Sequence, residues 1–220
     1  MVNYKKNTKA IAVTGVITAA AFLLTFVFRF KVSFLTFDLK DSLIAIISLM
    51  YGPLYGLASS LIVAFLEFIS VSDTGFYGFI MNFLASGTFA LVCGIIYKYK
   101  RTFFGAVLGL VFSIISVIFI MILANIFITP FYMGVNRSAV ISMILPLLLP
   151  FNAAKTIINS SAVLIIYKPI TNALKKFKIL QNNTQQNSLK GVIITIISVL
   201  LIIITFLYLT LKLNGVFQIF

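Results

Sequence analysis

Residues 34–56 read FLTFDLKDSLIAIISLMYGPLYG, an acidic start, an apolar run and a turn in close succession. Asp38 and Asp41 stand three positions apart at the start of the run at 39–50, which ends in the turn signal YGP. If a helix begins here, residues three apart share one face, so both carboxylates would lie on the same side. One could cap the helix N-terminus, where negative charge is favoured. Two carboxylates beside two phenylalanines also indicate a ligand-binding surface.

The composition of the whole chain indicates that the apolar run at 39–50 belongs to a membrane protein. The chain of 220 residues is 61% hydrophobic and only 10% charged, whereas a soluble domain is about one-quarter charged. We therefore predict an all-α integral membrane protein. Cys93 is the single cysteine and there is no histidine, which excludes internal disulfides and removes the commonest general base and metal ligand. No catalytic residue, metal or cofactor is expected.

Before and after residues 34–56 the chain contains further apolar runs, and their lengths are close to that of a helix that crosses a bilayer. They predict a six-helix core with spans at 10–28, 39–50, 54–69, 76–97, 103–128 and 144–167, and an additional seventh span at 191–211. The first is interpreted as a span and not a signal peptide, because it lacks a clear small-residue cleavage site followed by a polar start. The predicted organisation is a substrate-binding membrane domain at 1–178, a polar cytoplasmic linker at 179–190 containing QNNTQQN, and a C-terminal transmembrane helix at 191–220.

Charge placement predicts the orientation. Eleven of the 17 basic residues fall in segments that are cytoplasmic if the N-terminus is inside, and all four acids fall on the opposite side. We expect a multi-pass protein of the cell membrane with a cytoplasmic N-terminus, and a seventh span that places the C-terminus outside. Because the bases cluster between apolar runs, they indicate topology and not nucleic-acid binding. The outer loops are expected to hold Arg29, Lys31, Lys40 and Arg137.

Polar residues recur on one face of the sixth span. Pro130 and Pro150 are expected to end or begin helices. After Pro150, helical spacing places four polar side chains on one face: Asn152, Lys155, Thr156 and Asn159. Such a stripe faces the bundle interior or a cavity and not lipid. The Lys155 ammonium needs an acceptor there, and the candidates are Asp38, Asp41 and Glu67.

Two further polar groups have competing interpretations. Glu67 is either an interfacial carboxylate that reaches water or a ligand contact, and Asn82 either bridges helices or contacts ligand. With Asn125 near the end of the fifth span, the polar and aromatic groups indicate a mostly apolar small-molecule pocket with a few directed polar groups. A flat ring system bearing a polyol would suit it.

The first span carries a possible helix-docking motif. Gly15 and Ala19 form a small-xxx-small pair that lets another helix approach closely. No phosphate-binding loop occurs in the chain, so an energy source would lie on another chain or in an ion gradient.

The ordered set of features resembles the substrate-binding S-components of energy-coupling factor (ECF) vitamin transporters. It comprises the basic N-terminus, the small-xxx-small first helix, the FLxFDxxD start of span two and the YGPLYG turn, within a resemblance that covers roughly residues 5–175. The stretches NFLASGTF (82–89), ITPFYM (128–133) and LLPFNAAKTIINS (148–160) are most similar to the riboflavin-specific members.

The resemblance implies a vitamin bound in an outward-facing cavity that is closed by the loop after the first helix. Gly15, where the family usually has Ala, and Ala19 would dock onto a transmembrane coupling protein driven by two cytoplasmic ATPases, and the subunit would topple to release its substrate. The polar ligand partners would be Asp38, Asn125, Asn152, Lys155 and Asn159, and the walls would be Phe34, Phe37 and Tyr132. The seventh span departs from the six-helix family.

Riboflavin uptake is thus the expected function, with the vitamin as transported ligand. The same architecture serving pantothenate, a pyrimidine or folate is the alternative. An intramembrane enzyme is disfavoured by the missing histidines and metal ligands. A stand-alone ion-coupled carrier is disfavoured because no second half or inverted repeat is present, and a structural assembly protein would leave the polar face of the sixth span unexplained.

Overall fold

A computed structural model describes residues 4–176, 189–212 and 217–219. The chain order is α1 (Tyr4–Val27), β1 (Phe30–Val32), β2 (Leu35–Phe37), α2 (Lys40–Tyr51), α3 (Pro53–Ser70), α4 (Gly75–Tyr99), α5 (Phe103–Met133), α6 (Arg137–Ser142), a π-helical turn (Ile144–Leu148), α7 (Leu149–Lys176), α8 (Leu189–Lys212) and β3 (Phe217–Ile219). Most of the linker predicted at 179–190 lies outside the described residues.

The prediction of an all-α membrane protein is confirmed. Within the described ranges, five helices are long and apolar enough to cross a membrane: Thr8–Val27, Pro53–Ser70, Gly75–Tyr99, Phe103–Met133 and Ile144–Tyr167. The predicted second span is present as α2, but this helix has only 12 residues, and a crossing needs about 20. Residues 40–49 of α2 are all buried, so the helix lies inside the bundle and its two ends meet other helices.

The two prolines differ in their effects on the helices. The prediction that Pro130 ends or begins a helix is wrong, because α5 continues through it to Met133 and ends at Gly134, whose φ of 64° terminates the helix in the left-handed conformation. Pro150 is the second residue of α7, a position where its missing N–H costs little. A π-helical turn precedes it directly, so the chain is helical on both sides of Pro150.

Two apolar clusters hold the bundle together. The first centres on the buried isoleucines of α2 and includes side chains from α1, α4 and α5. The second lies beneath the β1–β2 hairpin, where Val32 and Phe37 meet Leu148 and Phe151. The acidic start of α2 lies between the hairpin and the apolar centre of this helix, which places its carboxylates near both clusters.

The C-terminal elements α8 and β3 contact the rest of the bundle. Helix α8 packs along α7, and Ile202 contacts the cluster beneath the hairpin. Strand β3 pairs antiparallel with β1, with Lys31 opposite Gln218, and the sheet order is β2-β1-β3. The segment therefore covers the free edge of β1, which would otherwise expose unpaired backbone groups.

Gly94 provides a test of the packing between α4 and the α2–α3 turn. A Cβ placed on Gly94 would lie 2.9 Å from Pro53 Cα and would also overlap Ser48 Oγ. We expect Gly94→Ala to lower the free energy of unfolding by about 1–3 kcal/mol, measured by thermal unfolding in detergent. Gly15→Ala is the matched control, because a Cβ at Gly15 meets nothing within 4 Å. Equal unfolding temperatures for the two variants would contradict the packing described.

Candidate functional site

A cavity of about 250 Å³ lies between the β1–β2 hairpin and the helices α2, α3, α4, α5 and α7. This is close to the lower end of the size range for small-molecule sites. All four acidic residues of the chain line it: Asp38, Asp41, Glu67 and Asp73. Eight of the eleven predicted ligand contacts are at its wall: Phe34, Asp38, Asp41, Glu67, Asn82, Tyr132, Asn152 and Lys155.

The polar stripe on α7 faces the interior, as its spacing predicts. Its four side chains, Asn152, Lys155, Thr156 and Asn159, are all buried. Of the three acceptors considered for Lys155, Asp38 is the one it binds: Nζ lies 2.9 Å from Asp38 Oδ2, and it also donates to the Thr36 carbonyl at 3.2 Å. An ion pair at this depth joins α7 to the segment between β2 and α2.

Asn159 does not line the cavity but fixes the start of α2 from behind. Its Nδ2 donates to the Asp38 carbonyl at 2.9 Å, and its Oδ1 accepts the Ser42 N–H at 2.9 Å. A side chain of α7 thus satisfies a backbone donor in the first turn of α2, which otherwise has no side-chain cap. Neither Asp38 nor Asp41 caps this helix, so both carboxylates have other partners.

Lys40 lines the cavity, although the sequence did not indicate it as a site residue. The sequence predicts an outer loop at this position. In the structure Lys40 is the first residue of α2 and the bulkiest fully buried side chain in the described part of the chain. Its Nζ lies 2.7 Å from both carboxylate oxygens of Glu67 and 3.3 Å from Asp38 Oδ2. The available signal was its position between two acids at the start of an apolar run.

Glu67 and Asn82 are linked across α3 and α4. Asn82 Nδ2 donates to Glu67 Oε2 at 2.9 Å, and Glu67 is only 5% exposed. Asn82 therefore bridges two helices while also facing the cavity. Asp41 accepts a hydrogen bond from the Ser86 hydroxyl on α4, which attaches the first turn of α2 to the same helix.

One buried acceptor of the site lacks a donor. Asp38 lines the cavity, and its Oδ1 is buried with no hydrogen-bond partner among the described residues. A buried acceptor without a donor costs free energy. An N–H or O–H group that reached Oδ1 would remove this cost.

Aromatic side chains form part of the wall, but not all those predicted do so. Phe34 and Tyr132 line the cavity with their ring centroids 6.1 Å apart. Phe37 instead stacks on Phe30 at 4.5 Å, in the apolar cluster beneath the hairpin. Asn125 is fully buried within α5 and bonds to the Met121 carbonyl and to Thr129, so it too lies behind the wall.

An ion-pair group at the outer rim also went unrecognised in the sequence. Arg29 donates to the Val71 carbonyl at 2.9 Å and lies 3.8 Å from Asp73, which also pairs with Lys31. These contacts join β1 and the end of α1 to the turn between α3 and α4. The hairpin is thereby held over the cavity.

The predicted docking residues do not line the cavity. Gly15 and Ala19 are exposed on one face of α1 together with Ala12, and the space beside Gly15 is open. A face of small side chains on a membrane helix allows close approach by another helix.

The arrangement suits non-covalent recognition. It combines an apolar and aromatic wall with amide donors, two paired ammonium groups and an unpartnered carboxylate oxygen. Each of these can orient a polar ligand without forming a bond to it.

Comparison with known proteins agrees with this architecture. The family described as ECF transporter, substrate-specific component, matches residues 9–167. A riboflavin transporter of Staphylococcus aureus (strain TCH60) is 29% identical over 185 residues, covering 79% of this chain and 96% of that protein. A solved structure of the S component of a bacterial ECF transporter superposes with a TM-score of 0.66 at 27% identity, covering 77% of this chain and 99% of that one. The chain belongs to the family of substrate-specific components of ECF transporters.

Proposed function

We propose that this protein is the riboflavin-binding subunit of an ECF transporter and mediates riboflavin uptake across the cell membrane. The similarity to a riboflavin transporter over most of both chains supports the choice of vitamin. The observation that carries the proposal is the buried Asp38–Lys155 pair, which lines a partly aromatic cavity and in which one carboxylate oxygen of Asp38 has no partner among the described residues.

The chemistry of riboflavin matches the lining of this cavity. The vitamin has a flat apolar ring system, an edge with an N–H and carbonyl groups, and a ribityl chain of hydroxyls. Phe34 and Tyr132 offer surfaces for the ring, Asn152 and Lys155 offer donors, and Asp38 offers an acceptor. We assign supporting roles to Phe37, Asn125 and Asn159, which hold the wall from behind.

The pairing of charges in the cavity favours a neutral vitamin over the alternatives that carry a carboxylate. Lys40 and Lys155 are engaged with Glu67 and Asp38, and the four acids of the lining are matched by four bases, Arg29, Lys31, Lys40 and Lys155. Pantothenate and folate would add an unmatched negative charge to the cavity. A pyrimidine would not, so it is the more useful competitor in a binding test.

The proposed transport direction is inward, with a cytoplasmic N-terminus. The support is the distribution of basic residues between the two sides and the convergence of all four acids on one cavity at the opposite side. In this arrangement the exposed small residues of α1, Gly15 and Ala19, dock onto a transmembrane coupling protein. Two cytoplasmic ATPases supply the energy, and the chain itself only binds and moves the vitamin.

Riboflavin binding is the direct test. We expect the detergent-purified protein to quench riboflavin fluorescence on titration and to retain a yellow colour when it is purified from cells grown with the vitamin. A free pyrimidine or pantothenate in excess should not displace the flavin. A protein that leaves riboflavin fluorescence unchanged would contradict the choice of substrate while leaving the family membership intact.

The α7 contacts can be tested in the same titration. Lys155→Ala or Asn152→Ala should weaken riboflavin binding by about 1–3 kcal/mol. Each substitution removes a buried side chain that hydrogen-bonds to the ligand or to the protein group that accepts a hydrogen bond from the ligand. Lys9→Ala is the control, since Lys9 is exposed on α1. If both α7 variants bound riboflavin with unchanged affinity, the polar stripe would have a role in helix packing only.

Docking can be separated from binding. We expect Gly15→Leu to abolish riboflavin uptake by cells expressing the complete transporter, because the larger side chain prevents close approach to α1. Riboflavin binding by the purified variant should be unchanged. Val111→Leu, which enlarges a side chain that is 45% exposed on α5, is the control. Loss of both uptake and binding in Gly15→Leu would indicate misfolding and contradict a docking role.

A further inference from the structure

Lys40 occupies an unusual position for a lysine in a membrane protein. It lies at the first position of α2, its side chain is 2% exposed, and its ammonium contacts two carboxylates from different parts of the chain. Glu67 on α3 binds it through both oxygens at 2.7 Å, and Asp38 binds it through Oδ2 at 3.3 Å. A charge this deeply buried is retained only where its partners are held in place.

The contacts of Asp38 are one-sided. Oδ2 is shared by Lys40 at 3.3 Å and Lys155 at 2.9 Å. Oδ1 is equally buried and has no partner among the described residues. Two ammonium groups on the same oxygen restrict the rotation of the carboxylate. Oδ1, on a residue that lines the cavity, is left without a partner among the described residues.

We propose that Lys40 is a positioning residue for vitamin recognition, which acts by orienting Asp38 so that Oδ1 accepts a hydrogen bond from the ligand. Lys40 itself does not contact the vitamin in this role. The inference rests on the proposed function, because it takes riboflavin as the ligand that supplies the donor.

The two lysines have different roles in this arrangement. Lys155 is also held by the Thr36 carbonyl at 3.2 Å and approaches Asp38 from α7. If Lys40 were removed, Lys155 would be the single cation facing Asp38, and the carboxylate could rotate to present both oxygens to it. Oδ1 would then be occupied by Lys155 and lost to the ligand. Glu67, held by Lys40 and Asn82, anchors the Lys40 ammonium against α3 and α4.

A purely structural role for the Lys40–Glu67 pair makes a different prediction. If the pair only joins α2 to α3, replacing both partners with apolar residues of similar size should preserve the fold. It should then also preserve the affinity of the folded protein for riboflavin. The positioning role requires that affinity falls although folding is retained.

The test is a thermodynamic cycle on the full-length protein in detergent, with riboflavin fluorescence as the readout. The variants are Lys40→Met/Glu67→Met, Asp38→Asn, and all three substitutions together. The Met pair removes one positive and one negative charge, so the net charge of the cavity is unchanged. If the Met pair does not fold, Lys40→Gln/Glu67→Gln replaces it, since two amides can bond to each other.

We expect the pair variant to unfold near the wild-type temperature and to bind riboflavin about tenfold more weakly. Asp38→Asn should weaken binding strongly in the wild-type background but much less in the pair background, because Oδ1 is no longer presented there. This non-additivity, about fivefold or more in Kd, is what coupled groups show.

Two results would overturn the inference. Equal riboflavin affinity in the wild type and the folded pair variant would leave Lys40 with a structural role only, and so would strictly multiplicative effects on Kd. In either case wild-type binding would stand, and the proposed function with it. Failure of the wild-type protein to bind riboflavin would overturn the proposed function and this inference together.

Discussion

The buried ionic cluster around Asp38 is the interaction on which the rest of the site depends. Lys40 and Lys155 bring together the start of α2, the N-terminal part of α7 and, through Glu67, helix α3. Charges inside an apolar bundle are costly unless each meets its counter-charge. Arrangements of these helices that separate the partners are therefore strongly disfavoured, and the cluster specifies one way for them to pack.

The same residues also line the cavity. Asp38, Lys40, Glu67 and Lys155 bond to one another and form part of its wall, and Asp38 Oδ1 has no partner among the described residues. The β1–β2 hairpin covers this space and is tied to the α3–α4 turn through Asp73. Strand β3 pairs with the other edge of β1, so the C-terminal segment supports the β1–β2 hairpin from the side opposite to β2. Stability and recognition thus share residues, which is why the substitutions that probe binding need paired controls for folding.

Local pattern predicted some parts of this site well and others poorly. The spacing of Asn152, Lys155, Thr156 and Asn159 placed them on one interior face because helical geometry alone decides which residues share a face. The pairing of Lys155 with an acid followed from the cost of an isolated buried charge. Lys40 was misplaced because hydropathy locates a charge along the chain and not its depth in a bundle. Phe37 and Asn125 have the right chemistry for a wall, but the hairpin and α5 turn them toward the packing behind it.

The sequence alone determined the membrane class, the approximate spans, the family resemblance and the interior face of α7. The membrane class, the spans and the face of α7 follow from composition and periodicity, which act over one element at a time, whereas the resemblance rests on an ordered set of motifs. Only the tertiary structure decided that Asp38 pairs with both lysines, that Glu67 holds Lys40 and that the C-terminal strand joins the hairpin. Apart from the Asp38–Lys40 pair, these contacts join groups far apart in the chain, and the partner is selected by the depth and direction of side chains once the helices have packed.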